Sequence, residues 1–290
     1  MDALRFLARS FRSAPSKRQF VRSLRLGSTG GNRTVTSADG VDLSVRVSGD
    51  GPPLVLVHGS LDGMNAFAFV EPTLAERRQV WTYDRRGRGG SGDADGLYVL
   101  QLEAEDLRAI VESIGEPPHV IGHSYGALVA MRAALDGVPM RSLVLYEPPV
   151  NGERVPDATI EEIDRLVADE HLDDAIRVMA RDLAGVREEE ISVALGVPPV
   201  RKALRAGTRT IVRELRTVQS HRWFELPIRG IPTLLLQGER RSSPAYPTDE
   251  QASQLADDLA VVTLGGQGHF AITFAPHDFV DAVEPFLEGH

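Results

Sequence analysis

The strongest chemical signal in the chain is Gly122-His123-Ser124-Tyr125-Gly126, which follows the apolar run His119-Val120-Ile121 and opens an Ala-rich helical segment. Gly-x-Ser-x-Gly carries little weight alone. Between a strand and a helix it describes a sharp turn that lifts the Ser124 hydroxyl above a sheet edge. The helix N-terminus beneath it favours developing negative charge. The plain alternative is a serine N-cap between two glycines. A second signal, His58-Gly59-Ser60, follows Leu54-Val55-Leu56-Val57. An acyl-transfer site needs two backbone N–H groups aimed at a nascent oxyanion. The Tyr125 amide is one candidate and the Ser60 amide the other. His58 reads as a buried histidine bracing that loop. The third signal is Gly265-Gly266-Gln267-Gly268-His269-Phe270. A serine hydroxyl is a weak nucleophile near neutral pH, so an imidazole must take its proton. His269 is placed for that role, whereas His119, His171, His221, His277 and His290 read as structural.

These residues need a scaffold that brings three distant loops together. Val41, Leu43, Val45 and Val47 alternate with polar residues, as in a half-exposed antiparallel strand. Short apolar runs recur at Leu54–Val57, Val80–Tyr83, His119–Ile121, Leu143–Tyr146, Thr233–Leu236 and Val261–Leu264. Such runs suit strands covered on both faces. Helical spacing fills the intervals at Leu97–Ile114, Tyr125–Leu135 and Glu250–Leu259. The alternation predicts an α/β fold with an open parallel sheet flanked by helices. Between Tyr146 and Ile231 the chain shows only helical spacing, at Thr159–Ala168, Leu172–Leu183, Glu188–Leu195 and Val200–Val218. A helical insertion there, over the carboxyl ends of the strands, would cover a site.

The chain resembles the α/β-hydrolase superfamily, in the capped branch that includes esterases, carbon–carbon hydrolases and cofactor-free haloperoxidases. The resemblance rests on His58-Gly59-Ser60, Tyr83-Asp84-Arg85-Arg86-Gly87-Arg88-Gly89-Gly90-Ser91, Gly122–Gly126 and Gly268-His269-Phe270, in the family's order over most of residues 35–290. It implies an α/β-hydrolase fold with a mostly parallel central sheet and a helical cap inserted after the strand ending near Tyr146. It implies a core of residues 34–150 and 227–290 and a cap of residues 151–226. It also implies Ser124 as nucleophile, His269 as base and the Ser60 and Tyr125 amides as oxyanion hole. The sequence departs from the family at the acid. Relatives usually carry an Asp three residues after the Gly closing the penultimate strand, and here that position is Arg241. Glu147, at the tip of the strand after the nucleophile helix and ahead of Pro148-Pro149, is the expected substitute; Glu239 is the alternative acid.

Composition narrows the rest. The 290 residues contain no cysteine, which excludes disulfides, thiol nucleophiles and cysteine-ligated metals. A net charge of −9 argues against nucleic acid as a partner. Residues 1–33 are the exception, a basic arm with eight Lys or Arg and one acid, Asp2. The arm reads as a helix against the acidic body or a second subunit, as peripheral contact with anionic lipid, or as a frayed or targeting extension. Gly27–Gly31 is its expected hinge. A cytoplasmic location and no cofactor or metal are expected, because no motif calls for either. Trp223 and Phe224 in the cap, with Phe67 and Phe69 after the oxyanion loop, suit a small-molecule substrate with an apolar part. The first functional expectation is cleavage of an ester, thioester or lactone through an acyl-enzyme, since Ser124 excludes aspartate-nucleophile chemistry. The alternatives are carbon–carbon hydrolysis, perhydrolysis, or acyl transfer or cyclisation on the same triad, and a ligand-binding protein that turns over little.

Overall fold

The structure, a computed structural model, describes residues 31–221 and 227–290. The arm and hinge before residue 31, and the cap aromatics Trp223 and Phe224, lie outside the described residues. The frame is a mostly parallel eight-stranded sheet in the order β1-β2-β4-β3-β5-β6-β7-β8. The strands are β1 (Gly31–Thr36), β2 (Asp42–Ser48), β3 (Pro53–Val57), β4 (Gln79–Tyr83), β5 (His119–His123), β6 (Ser142–Tyr146), β7 (Thr233–Gly238) and β8 (Leu259–Leu264). β1 and β2 pair antiparallel and β2 also runs antiparallel to β4, while the remaining neighbours are parallel. β1 corrects the sequence reading at the arm. Gly31 and Arg33, expected in the hinge and arm, pair with Val47 and Val45 in the sheet.

The central strands are buried throughout, as continuous apolar runs require. Their side chains divide between two cores with the period of two that a strand imposes. Val55 and Val57 join one cluster with Leu107 and Ile110 of α2 (Leu100–Ile114) and Leu128 of α3 (Tyr125–Leu135), helices that follow the short α1 (Glu71–Leu74). Leu54 and Leu56 join the other, with Phe67, Phe279 and Val283.

Between β6 and β7 lie α4 (Asp157–Ala168), α5 (Leu172–Val178), α6 (Glu188–Leu195), α7 (Pro198–Gly207) and α8 (Ile211–Ser220). Their apolar faces, including Ile163, Ile176, Ile191 and Leu215, join the same cluster as the first core. Two expected helices are interrupted. The α5 helix continues from Met179 to Leu183 as a π-helical turn. The segment expected to be helical from Val200 to Val218 breaks at Thr208–Thr210, where Gly207 lies so close to the Leu61 carbonyl that a Cβ would stand 2.4 Å from it. After β7 only α9 (Asp249–Ala252) is helical in the span expected as Glu250–Leu259. There the Ile228 N–H donates to Leu255 O at 2.9 Å, drawing the chain into bridge pairing before β8. The chain ends in α10 (Ala271–Phe274) and α11 (Pro276–Glu288).

Candidate active site

The register places the ends of β3, β5, β6 and β7 side by side: Val57 pairs with Gly122, His123 with Tyr146, and Tyr146 with Leu236. Ser124 follows at φ 53° and ψ −121°, between β5 and α3. An L-residue holds such a conformation at a cost of about 1–3 kcal/mol, and only where its surroundings force it. They do here: the Ser124 N–H donates to Tyr146 O at 2.9 Å. The flanking glycines leave room for the turn. A Cβ on Gly126 would stand 2.2 Å from Val57 O, and one on Gly122 2.6 Å from Gly126 O. Ser124 is 7% exposed, and what it exposes faces a cavity of about 130 Å³ that His269 also lines.

The His269 side of this cavity is built from the sheet. His269 Nδ1 lies 2.7 Å from Glu147 Oε2, with Glu147 1% exposed. That geometry puts the Nδ1 proton toward Glu147 and leaves Nε2 free to accept one. Glu147 holds φ 46°, a second strained position directly after a strand. Its N–H donates to Leu236 O at 3.0 Å and its Oε1 accepts the Gly238 N–H at 2.8 Å. Gly238 is needed for that approach, since a Cβ there would stand 2.9 Å from Glu147 Oε1. Glu239, the alternative acid, is exposed and accepts the Gly266 N–H at 2.6 Å instead. Arg241 pairs with Asp249 at 3.0 Å.

Three residues not singled out in the sequence also hold His269. The Tyr246 hydroxyl oxygen lies 2.5 Å from Nδ1 and donates to Ala184 O at 3.1 Å. His123 Nε2–H donates to the His269 carbonyl at 3.0 Å. The Tyr146 hydroxyl donates to Gly268 O and accepts the Ala271 N–H at 3.0 Å. Burial, with His269 close by, holds the His123 imidazole well below the usual histidine range, so it is a neutral brace.

The Ser60 side of the cavity is built from ions. Ser60 follows β3 and Tyr125 opens α3. Among the described residues no protein acceptor takes the N–H of either. The Ser60 hydroxyl donates to Glu214 Oε2 at 2.6 Å, and Glu214 belongs to α8 of the inserted helices. Glu214 Oε1 accepts from Arg85 at 2.9 Å and Arg88 at 2.6 Å. Arg85 also donates to Gly59 O at 3.2 Å, forks onto Glu103 at 2.9 Å and lies 4.8 Å over the Tyr125 ring. Burial opposes the Glu214 charge, but Arg85 and Arg88 outweigh it and hold the carboxyl below its ordinary range. His58 accepts the Arg85 N–H on Nε2 at 3.0 Å and lies 2.9 Å from Gly59 O through Nδ1. Burial, with Arg85 and Arg88, holds it neutral. The glycine-rich segment after β4 is bolted down separately: Asp84 accepts the N–H of Met64 and Gly90, and Arg86 forks onto Asp106.

A sharp turn carrying a strained serine, a histidine–carboxylate pair and two free amides at adjoining strand ends describe one arrangement. Residues 54–282 match the profile of the Alpha/beta hydrolase family. The chain belongs to that family. A solved alpha/beta hydrolase from Sphaerobacter thermophilus is 32% identical, with a TM-score of 0.73 over 88% of this chain and 99% of that one. Among curated relatives, an N-formylmaleamate deformylase of Pseudomonas putida is 37% identical over 127 residues, covering 42% of this chain and 46% of that protein. The match therefore spans less than half of that relative's length. An sn-1-specific diacylglycerol lipase of Xenopus tropicalis is 27% identical over 86% of this chain and 83% of its own. A putative epoxide hydrolase mutant from Pseudomonas aeruginosa, 23% identical at TM-score 0.72, shares the fold. No described helix in this α/β hydrolase is long and apolar enough to cross a membrane.

Proposed function

We propose that this α/β hydrolase is a serine hydrolase that cleaves an ester, thioester or lactone through an acyl-enzyme. Ser124 attacks the carbonyl, His269 takes and returns the proton, Glu147 orients the imidazole and stabilises its charged form, and the Ser60 and Tyr125 amides receive the oxyanion. The observation that carries this reading is the strained Ser124 sharing a cavity with His269, whose far nitrogen is engaged by a buried carboxylate. The likeness to proteins named deformylase and diacylglycerol lipase supports acyl chemistry. A serine at position 124 separates the chain from aspartate-nucleophile dehalogenases and epoxide hydrolases.

The walls support a substrate with an apolar part. One wall of the larger cavity is made by apolar residues of the insertion, among them Ile176, Val186 and Leu204. A second cavity of about 30 Å³, walled by Pro149, Leu183 and Val218, meets Ser124 from another side. Two spaces at one hydroxyl suit the two halves of a cleaved bond. A fluorophosphonate probe should label Ser124 rapidly, and p-nitrophenyl or thioester acyl chains of rising length should show a rate optimum that sizes the larger cavity. A folded sample that resists the probe would favour a binding protein with this fold.

A further inference from the structure

Asp62 stands two residues after the oxyanion serine and lines the larger cavity with Ser124 and His269. Protein encloses its carboxyl deeply enough that burial, against the opposing pull of Arg88, His269 and Arg85, pushes it up to about 6. The residue as a whole is only partly buried. The space it lines is the cavity beside Ser124. Among the described residues it has neither a hydrogen bond nor an ion pair. Glu190, the other carboxylate of the wall, accepts from Arg187 at 3.1 Å. No Lys or Arg lines this cavity among the described residues.

An enclosed carboxylate without a partner is costly, and a donor brought by a ligand relieves that cost. A ligand carboxylate at the same place meets like charge, and the nearby Arg85 and Arg88 are already engaged by Glu103 and Glu214. Hydrogen-bonding sites discriminate far more sharply than apolar ones, because the wrong ligand leaves a buried polar group unpaired.

We propose that Asp62 determines specificity, selecting substrates that place an ammonium or a strong N–H or O–H donor near the scissile carbonyl on an otherwise aliphatic chain, and rejecting substrates with a carboxylate there. The inference rests on the reading of this cavity as the substrate site of Ser124, and it separates this chain from any hydrolase whose substrate is an anion in the same position.

Calorimetry of the full-length protein at pH 8 tests it with two probes of equal length, pentylammonium and pentanoate. Pentylammonium should bind at least tenfold tighter. Asp62→Asn should remove most of that preference, and Glu190→Gln should leave it in place. Equal affinities in the unaltered protein, or a preference that follows Glu190 instead of Asp62, would overturn the proposal. The unaltered protein carries the comparison even if Asp62→Asn folds poorly. Turnover of p-nitrophenyl pentanoate, measured alongside, tests the serine-hydrolase reading alone: its absence with the ammonium preference intact would remove that reading and keep the ligand selectivity.

Discussion

The two sides of the site are held in place by different means. On the base side, His269 is positioned by strand ends: Glu147 after β6, Tyr146 within it, His123 in β5 and Gly238 closing β7. Among these residues Tyr246 reaches the insertion, through Ala184 O just after the π-helical turn. On the oxyanion side, Ser60 is tied to Glu214 of α8, and the tie runs through Arg85 and Arg88 into the core. The placement of His269, the proposed base, is therefore a property of the sheet. The Ser60 loop, the proposed oxyanion loop, depends on where the inserted helices dock. A buried pair with one member on each body holds its geometry only while the bodies stay together, whereas adjacent strands in register have no such freedom.

The comparison can be broken at several points. The largest effect should come from Ser124→Ala, which removes the group both sides serve: kcat should fall by about 10³–10⁶ with an unchanged melting temperature. Retained turnover in the purified variant would remove Ser124 from the centre of the comparison. Next, Glu147→Gln should lower kcat by about 10²–10⁴ and leave the melting temperature almost unmoved, because the amide keeps the shape and the Gly238 contact while losing the charge.

Glu214→Gln should behave differently. It leaves Arg85 and Arg88 short of a buried counter-charge, so stability should drop by about 3–5 kcal/mol. The oxyanion loop loosens with it, and kcat should fall by about 10–100-fold with little change in KM. Thermal melts and steady-state kinetics on both variants decide the matter. If Glu214→Gln melts early but turns over normally, the oxyanion loop holds itself and the two sides are alike.

Acid should weaken both sides together. His58, His123 and His119 are buried and held below the ordinary 6.5, His119 to about 4, mainly by burial. Unfolded histidines take up protons near 6.5 while the folded ones do not, so stability rises with pH through that window and is lost as pH falls below it. For His119 the loss runs from about 6.5 to 4. Asp62, raised to about 6, and Glu103, raised mainly by burial, work in the opposite direction, while the depressed carboxyls of Glu214 and Asp173 add to the loss at lower pH. Urea midpoints at pH 7.5 and 5 should show the lower value at pH 5, and His119→Asn should reduce the difference. A midpoint that rises on acidification would mean these rings are already protonated in the fold. The smallest effect should be Glu239→Gln, under about tenfold in kcat, because that side chain bonds Gly266 at the surface.

Local chemistry decided much of this protein before any folding. The continuous apolar runs at Leu54–Val57 and Leu143–Tyr146 can satisfy both faces only inside a covered sheet, and they lie there. The span Tyr125–Leu135 forms its helix at the expected bounds, since Ala, Leu and Met need only nearest neighbours to choose it. The turn Gly122-x-Ser124-x-Gly126 is partly self-specified: Gly122 is demanded by Gly126 and Ala127 of the turn itself, while Gly126 is demanded by Val57 O of the neighbouring β3. Other features were out of reach of local pattern. Ser60 and Glu214 are 154 positions apart, and neither has a neighbour in sequence that foretells the bond. Between Glu147 and Glu239 the chain offers two carboxylates at strand ends. The pairing of β6 with β7, the φ of 46° at Glu147 and the close approach at Gly238 aim one of them at His269. Tyr246 and Asp62 acquire their surroundings only when α8 and its neighbouring helices settle over the strand ends. Backbone conformation mostly follows residues a few positions away, so the sequence determined the strands and most helices, whereas the breaks at Met179–Leu183 and Thr208–Thr210 were not legible in local pattern. Partners of buried polar groups follow from sheet order and helix docking, so the tertiary structure alone decided which acid, which brace and which cavity wall this serine received.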